Sequence, residues 1–424
     1  FRALGFDVKV SDKSSHELFE NGLATIPSDT VCFPAKLAHG HCLSLVDKDV
    51  DRIFTPNVMN GLSQFPQLED DYPCAVLHGY GLVLKTNVST GVPHDIPAFL
   101  WKTAAMREKQ LIRYFKETFG IDDRLVREAI QAADDCQEAF QTALEQRAKK
   151  VIARVEATDG FAVVICMRPY QNDPLVNHHL GKYFVRLGVP VIPADALPGL
   201  CEEDLSDVQV RINSNIQATF YAAASVVARH PHLELAQVTS FGCGHDAVVS
   251  DELQRIVQCR GKQMLLLKLD ESDVRGPLRI RVLSFVDTVR QRRHRSSMVE
   301  AESRSLPAMF TNRDKRNRTL LVPNLSPGFS TLIAAIIEGR GFNVRVLPLA
   351  DNRAIELGKL YLHNDICVPA QINVGEFLRA MESENLDSSE VALGMHQNCK
   401  TCRAGQYAMI ARIALDAAGY AEIP

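Results

Sequence analysis

The sequence has 424 residues, of which 46% are hydrophobic and 23% are charged, and its formal net charge is −4. This length allows roughly two to four domains, and the composition is that of an ordinary globular protein. The weak acidity argues against a dedicated nucleic-acid binder. No apolar run has the length of a membrane span, so neither nucleic acid nor membrane is an expected partner.

The chain contains 11 cysteines, an odd number scattered along its length. Such a set does not resemble the disulfide framework of a secreted protein, and the first residues have no signal-peptide character. We therefore expect a cytoplasmic protein in which some of the cysteines serve metal or redox chemistry.

Residues 1–100 are predicted to form a first α/β domain with a cysteine motif. Phe6 to Val10 and Arg52 to Phe54 have the composition of short strands. Residues 101–158 are predicted to form a helical segment, because apolar residues recur every three or four positions between Ile96 and Thr158. This segment would separate the first α/β domain from the next.

Residues 159–287 are predicted to form a second α/β domain. Phe161 to Met167 is a continuous apolar run, which is typical of a buried parallel strand. Loops beyond the carboxyl ends of parallel strands bind ligands in such folds. Arg168 and His178 follow this strand, and His245 lies in a glycine-rich stretch further on. All three are candidate catalytic residues, and each could equally satisfy loop backbone.

The last part of the chain is predicted to form a basic linker and a third α/β domain. The linker, residues 288–318, has a basic run at each end, a pattern usually typical of a solvated surface. The third domain, residues 319–424, starts with an apolar strand at Leu320 to Val322. It ends with a helix after Cys399 and Cys402, whose C-x-x-C spacing fits zinc, an iron–sulfur cluster or a dithiol redox centre.

One motif occurs in both the first and the third domain. Ser28 to Leu37 and Asn364 to Ile372 contain Asp, Cys, Pro and Ala in the same order, and a glycine follows both copies. Because proline favours the first turn of a helix, Cys32 and Cys367 are predicted to lie at helix N-termini, where backbone N–H groups and the helix dipole stabilise a thiolate. The alternative is a small buried cysteine that caps the same turn twice because the domain was duplicated.

Elimination leaves six cysteines as candidate ligands. Cys136 lies on a polar helical stretch and Cys166 within the buried strand, while Cys201 and Cys259 lack the strand-turn-helix pattern. Cys42 lies about 15 Å along a predicted helix from Cys32, too far for one compact site. The remaining candidates for binding a metal or cluster are Cys32, Cys74, Cys243, Cys367, Cys399 and Cys402.

The sequence resembles the 2-hydroxyacyl-CoA dehydratase and activase-related superfamily, in the region that follows the ATPase domain of large acyl-CoA dehydratase activase-related proteins. The resemblance is carried by Ser28 to His41, Gly160 to Asp195, Ser240 to Asp246, Asn364 to Gly375, and Cys402 to Ala404 with Tyr407. It implies an α/β fold of tandem Rossmann-like (flavodoxin-like) parallel-sheet domains, here with a helical insert. It also implies an oxygen-sensitive iron–sulfur cluster in the crevice between domains.

The resemblance further implies the type of cluster and a partner. A double-cubane [8Fe-9S] cluster is favoured because it takes six thiolates, and a single [4Fe-4S] cluster is the alternative. The partner is an ATPase activase with its own iron–sulfur cluster. It must be another chain or domain, because the sequence has no Walker-type phosphate loop. Cys32 and Cys367 are expected to face a common cavity.

We therefore expect an iron–sulfur redox protein that receives low-potential electrons from the ATPase. It would pass them to a small molecule or an acyl-CoA substrate, as an ATP-dependent reductase or a dehydratase-like component. The competing hypothesis is a non-enzymatic α/β scaffold or partner protein whose thiols serve structure or hold zinc. The identity of the substrate and the choice between monomer and dimer stay open.

Overall fold

Parallel strands alternating with helices make up the structure. The computed structural model describes residues 1–68, 70–272, 275–295, 308–397 and 402–424. The strands are Ile53–Phe54 (β1), Asn57–Asn60 (β2), His94–Asp95 (β3), Ala98–Leu100 (β4), Ala162–Cys166 (β5), Val191–Pro193 (β6), Leu233–Ser240 (β7), Met264–Leu269 (β8), Thr319–Val322 (β9), Asn343–Val346 (β10) and Val391–Leu393 (β11).

The helices alternate with these strands along most of the chain. They are His16–Gly22 (α1), Phe33–Val46 (α2), Ala75–Asn87 (α3), Ala104–Phe119 (α4), Asp123–Ala157 (α5), Leu180–Arg186 (α6), Asn215–Arg229 (α7), Gly244–Gln258 (α8), Arg275–Arg295 (α9), Asp314–Asn317 (α10), Pro327–Glu338 (α11), Asn352–Tyr361 (α12), Val368–Glu384 (α13) and Tyr407–Ala417 (α14). Within the described ranges, none of the helices combines the length and apolar character that crossing a bilayer requires.

The chain divides into two compact units. The first contains Phe1–Asp207, Ile212–Cys243 and the described residues between 252 and 295. The second contains Val208–Arg211, Gly244–Asp251 and the described residues from 308 to the end. The first unit therefore holds all strands up to β8, and the second holds β9 to β11.

The main sheet of the first unit has four parallel strands in the order β6-β5-β7-β8. Every residue of β5 is buried, as its continuous apolar run predicts. Val163 and Ile165 of β5 pack on one face against Phe184 of α6 and Val282 of α9. This strand order is the flavodoxin-like one, in which the second strand lies outside the first. It confirms the predicted α/β class with a parallel sheet.

The second unit has its own parallel sheet in the order β10-β9-β11. The first strand of this sheet again lies between the second and the third, as in the first unit. The apolar segment predicted there, Leu320 to Val322, is part of the strand β9. Two parallel sheets of the same winding support the tandem arrangement that the sequence predicted.

The predicted strand at Phe6 to Val10 is wrong, because this segment pairs with none of the described strands. The ring of Phe6 contacts Phe115 and Phe119 of α4, at centroid distances of 6.3 and 4.9 Å. Phe1 contacts Phe115 as well. Aromatic packing on a helix, rather than β pairing, therefore holds this part of the chain.

The predicted helical segment consists of two helices. It begins later than Ile96, because the short strand β4 precedes α4. Gly120 separates α4 from α5 with a φ of 68°, a left-handed conformation that glycine adopts at little cost. The predicted basic linker likewise begins within a helix, since α9 continues to Arg295.

In two helix pairs, the two helices approach each other closely at a glycine. Each pair contains one copy of the repeated motif. In the first unit, a Cβ on Gly40 of α2 would overlap the carbonyl oxygen of Leu18 in α1. In the second unit, a Cβ on Gly375 of α13 would overlap the carbonyl oxygen of Ala354 in α12. The glycine that follows each motif is therefore required for backbone contact between α1 and α2 and between α12 and α13.

We expect Gly40→Ala and Gly375→Ala each to lower the free energy of unfolding by about 1–3 kcal/mol, because the added methyl group forces the paired helices apart. Chemical denaturation of the purified variants measures this change. Gly79→Ala in α3 is the matched control, since a Cβ at Gly79 meets open space. The control should be neutral or stabilising by up to about 1 kcal/mol. Equal effects of all three substitutions would contradict the packing role.

Candidate functional site

Five of the six predicted ligand cysteines lie in the described part of the chain, and each is the residue that precedes a helix. Each has extended backbone, with φ between −87° and −62°. They are Cys32 before α2, Cys74 before α3, Cys243 before α8, Cys367 before α13, and Cys402 before the 3-10 turn Arg403–Gln406 that leads into α14. The predicted position of Cys32 and Cys367 at helix N-termini is confirmed. Cys399 lies outside the described residues.

The helices that follow these cysteines differ at their N-termini from most other helices of the protein. Elsewhere a hydroxyl or carboxylate side chain accepts a hydrogen bond from a first-turn N–H group, at Ser15, Thr103, Asp122, Ser214, Ser326 and Asp351. At the five cysteines no side chain among the described residues makes this capping bond. The positive ends of these helix dipoles are therefore directed toward sulfur.

The first unit brings Cys32, Cys74 and Cys243 into one neighbourhood around Arg168. The Nη2 atom of Arg168 lies 4.0 Å from the sulfur of Cys243. Burial raises the pKa of the Cys32 thiol, and the nearby Cys74 raises it further. The backbone N–H of Ala35 and the Arg168 guanidinium act in the opposite direction. The candidate catalytic residue Arg168 is thus a buried cation beside the predicted ligands.

The loop that follows β5 fixes Arg168 at this position. The backbone N–H of Arg168 donates a hydrogen bond to the side chain of Gln171, at 2.8 Å. The amide of Gln171 in turn donates to the hydroxyl of Ser240 at the end of β7, at 3.2 Å. Since β5 and β7 are adjacent, the guanidinium is held at the carboxyl edge of the sheet, where such folds bind ligands.

The second unit brings Cys367 and Cys402 together around Tyr407. The Tyr407 hydroxyl lies 2.9 Å from the sulfur of Cys367. Burial raises the pKa of Tyr407, and Cys367 and Cys402 raise it further. Tyr407 therefore stays a neutral phenol that can donate a hydrogen bond to sulfur. The sequence pointed to Tyr407 only as part of a motif and gave it no role.

Arg403 adds a cation to the second unit. Its guanidinium lies against Gly244, the first residue of α8, and a Cβ at Gly244 would displace it. Nη1 of Arg403 also lies 3.5 Å from the carbonyl oxygen of Asp365, just before Cys367. The guanidinium is therefore held next to the predicted ligands of this unit.

The two candidate histidines occupy different environments. The Nε2 atom of His178 lies 2.8 Å from the carbonyl oxygen of Asp270, so its ring supports the loop after β8. His178 also has a φ of 50°, in the left-handed region. His245 is the second residue of α8 and is half-buried. His178 belongs to the first unit and His245 to the second.

An ion pair that the sequence did not reveal ties the cysteine helix α2 to the loop after β8. Nζ of Lys36 lies 2.6 Å from Oε1 of Glu271. The side chain of Lys36 is 9% exposed, whereas that of Glu271 is 35% exposed. Because Lys36 lies in the first turns of α2, the pair holds the loop near the helix that Cys32 precedes.

The five cysteines set aside by the sequence analysis lie away from these helix starts. Cys42 is buried within the continuous helix α2, Cys136 is exposed on α5, and Cys166 is buried at the end of β5. Cys201 is exposed in a short 3-10 turn, and Cys259 ends α8. In the part of the chain that the structure describes, no group of three or more Cys, His, Asp or Glu side chains is arranged so that it could hold a metal ion.

Residues 1–197 match the family model described as the CoA enzyme activase uncharacterised domain. This region is similar to that domain and makes up less than half of the 424-residue chain. It contains β1 to β6 and α1 to α6, and among the predicted ligands it contains Cys32 and Cys74. No curated protein matches the chain, and no solved structure does.

We expect Glu271→Gln to lower the free energy of unfolding by about 3 kcal/mol, because it leaves the buried Lys36 ammonium without a countercharge. Lys36→Met should cost only about 1 kcal/mol, since the remaining carboxylate is partly solvated. The double variant should be close to Lys36→Met. Denaturant unfolding measures all three. Glu128→Gln, which removes an exposed ion pair with Arg124, is the control and should change stability by less than about 0.5 kcal/mol. The reverse order of the two single variants would contradict this account.

Proposed function

We propose that the protein is an iron–sulfur redox protein whose cluster is held by cysteines at helix N-termini. The observation that supports this most strongly is the shared position of all five described candidates, each directly before a helix or helical turn. Helix N-termini stabilise negative charge, and an iron–sulfur cluster bound by thiolates is an anion. Duplication alone would account for Cys32 and Cys367, whereas Cys74, Cys243 and Cys402 share the position without belonging to the repeated motif.

The donor set fits such a cluster. Thiolates are the ordinary ligands of iron–sulfur clusters, and when bound the cluster supplies one-electron transfer at low potential. Arg168 in the first unit offsets the negative charge of the sulfurs around it. The Tyr407 hydroxyl in the second unit lies 2.9 Å from the Cys367 sulfur and would donate a hydrogen bond to it once that sulfur is a thiolate. Groups outside the ligands that hydrogen-bond to sulfur are a recognised means of tuning such sites.

The number of candidate ligands favours a double-cubane cluster. The six candidates are Cys32, Cys74, Cys243, Cys367, Cys399 and Cys402. Two cubes joined by one sulfide leave three iron corners each, so this cluster needs three thiolates twice. A single [4Fe-4S] cluster would leave two of the six thiolates without iron.

We further propose that an ATPase activase reduces this cluster and that the electrons pass to a small molecule or an acyl-CoA substrate. The family of residues 1–197 supports a connection with CoA enzyme activases. The chain itself lacks a Walker-type phosphate loop, so the nucleotide site would be on the partner. The buried Arg168 at the sheet edge is the residue best placed to act on a substrate near the first set of sulfurs.

Anaerobic purification tests the cluster. We expect brown protein with about eight irons per chain, and a loss of iron in Cys→Ser variants of each of the six candidates. Cys136→Ser is the matched control, because Cys136 is exposed on α5, and it should keep its full iron content. Colourless protein containing zinc would favour the scaffold hypothesis. About four irons, with two of the six cysteines dispensable, would favour the single cube.

Tyr407→Phe should lower the reduction potential of the cluster, because it removes a hydrogen bond that withdraws charge from the Cys367 sulfur. A net bond free energy of about 0.5–1.5 kcal/mol corresponds to roughly 20–60 mV for one electron. Redox titration followed by electron paramagnetic resonance measures the shift. Tyr420→Phe in the same unit is the control, since burial, neighbouring acids and Tyr361, rather than thiols, raise the pKa of Tyr420. Equal reduction potentials in the unsubstituted protein, Tyr407→Phe and Tyr420→Phe would show that Tyr407 does not tune the cluster.

Dependence on the partner can be measured directly. We expect substrate reduction at full rate only with the activase and ATP present, because the low potential of the cluster requires a driven electron donor. The control reaction replaces ATP with a non-hydrolysable analogue. Reduction at the same rate with a mild chemical donor and no ATP would refute the requirement for the partner.

A further inference from the structure

A cavity of about 380 Å³ lies in the first unit against one side of helix α2. Leu37, Ala38, His41 and Leu45 line it, and their three-to-four spacing puts them on one face of the helix. Small-molecule sites commonly begin at this volume and have mainly apolar walls with a few placed polar groups. The cavity therefore has the size and lining of a ligand site, and its lining residues include none of the predicted ligand cysteines.

Polar side chains meet in one part of this lining. The Ser14 hydroxyl lies 2.6 Å from Oδ2 of Asp173 and 3.1 Å from Nε2 of His41. Because a carboxylate only accepts, Ser14 donates its proton to Asp173 and accepts a hydrogen bond from Nε2–H of His41. This differs from a serine hydrolase, in which the carboxylate orients the histidine rather than the serine. The arrangement is thus suited to binding rather than to nucleophilic attack.

The charge of this part of the lining is negative. Burial lowers the pKa of His41, although Asp173 and Asp12 act in the opposite direction, so the imidazole is neutral near pH 7. Asp173 is the only acidic side chain among the lining residues, and these include no lysine or arginine. Nor does any lysine or arginine in the described ranges form an ion pair with Asp173. A carboxylate or phosphate ligand would meet no countercharge here.

Asp173 keeps its carboxylate in a fixed orientation. Oδ1 accepts hydrogen bonds from the backbone N–H groups of Leu175 and Val176, at 2.8 and 3.4 Å. Oδ2 accepts from Ser14 and retains a further lone pair. A cation in the cavity would gain a charge-assisted hydrogen bond from an acceptor that is already positioned. A neutral hydroxyl would gain only the weaker, uncharged bond.

We propose that this cavity binds a small molecule with a short apolar chain and a primary ammonium head group. The ammonium group donates to Asp173, and the apolar chain lies along Leu37, Ala38 and Leu45. The inference does not depend on an iron–sulfur cluster, because Asp173 and the cavity wall need no metal. It assigns a cationic ligand to a protein whose family relationship concerns CoA enzymes, so the ligand would differ from the acyl-CoA substrate.

Isothermal titration calorimetry of the full chain with three ligands of equal chain length tests the proposal. At pH 7, 1-pentylamine is a cation, 1-pentanol is neutral and pentanoate is an anion. We expect pentylamine to bind at least about tenfold more tightly than pentanol, because its hydrogen bond to Asp173 is charge-assisted and that of pentanol is neutral. Pentanoate should show no saturable binding. Equal binding of all three, or no saturation by pentylamine, would overturn the proposal.

Variants locate the binding in this cavity. Asp173→Asn should abolish the preference for pentylamine over pentanol, whereas Asp12→Asn, which removes an exposed carboxylate paired with Lys48, should retain it. Ala38→Phe should fill the cavity and abolish binding of both ligands. Retained preference in Asp173→Asn, or retained binding in Ala38→Phe, would overturn the proposal. If Asp173→Asn does not fold, Ser14→Ala decides, because it keeps the carboxylate and must keep the preference for the amine.

Discussion

Backbone contact between paired helices is the constraint on which the positions of the motif cysteines depend. Gly40 lets α2 lie directly against α1, and Gly375 does the same for α13 against α12. A helix held at such close approach can neither rotate nor slide along its axis without overlap of backbone atoms. The residue before its first turn is then fixed as well. The repeated sequence motif therefore specifies a helix pair with a cysteine at a defined point, rather than a cysteine alone.

The two units surround their sulfurs with different chemistry at otherwise similar helix starts. In the first unit a guanidinium, Arg168, stands beside the thiols, and its full charge compensates thiolates strongly. In the second unit the side chain in contact with the Cys367 sulfur is a phenol, Tyr407, and the guanidinium of Arg403 lies beside it, 3.5 Å from the carbonyl oxygen of Asp365. Duplication thus explains the shared backbone geometry, and divergence of the residues around it explains why the sulfurs of the two units have different contacts.

The sequence predicted those features that depend on local pattern. The apolar run at Phe161 to Met167 is typical of a strand buried on both faces, and proline after Cys32 and Cys367 favours a helix start. Phe6 to Val10 has a strand composition too, but strand pairing needs a neighbour, and tertiary packing offered aromatic rings on α4 instead. Composition alone does not distinguish these two outcomes.

The contacts that define the site are between residues distant in sequence, and this is why they could not be predicted. Lys36 and Glu271 carry ordinary surface charges in the sequence, and only the fold shows that Lys36 is buried and that the two side chains meet. The same holds for Ser14, His41 and Asp173, whose hydrogen bonds join three separate segments. A single sequence contains no signal for such a meeting, because neither periodicity nor spacing relates the segments.

Helix α2 shows how these separate constraints act on one element. Its residues are buried on several sides, among them Lys36, Leu37, His39 and Gly40. Gly40 contacts α1, Lys36 reaches the loop after β8, and Leu37 faces the cavity. A helix buried on several sides has no single apolar stripe for the sequence to reveal. It also has little freedom to move, so this one rigid helix would both line the site of a ligand in the cavity and position the Cys32 sulfur.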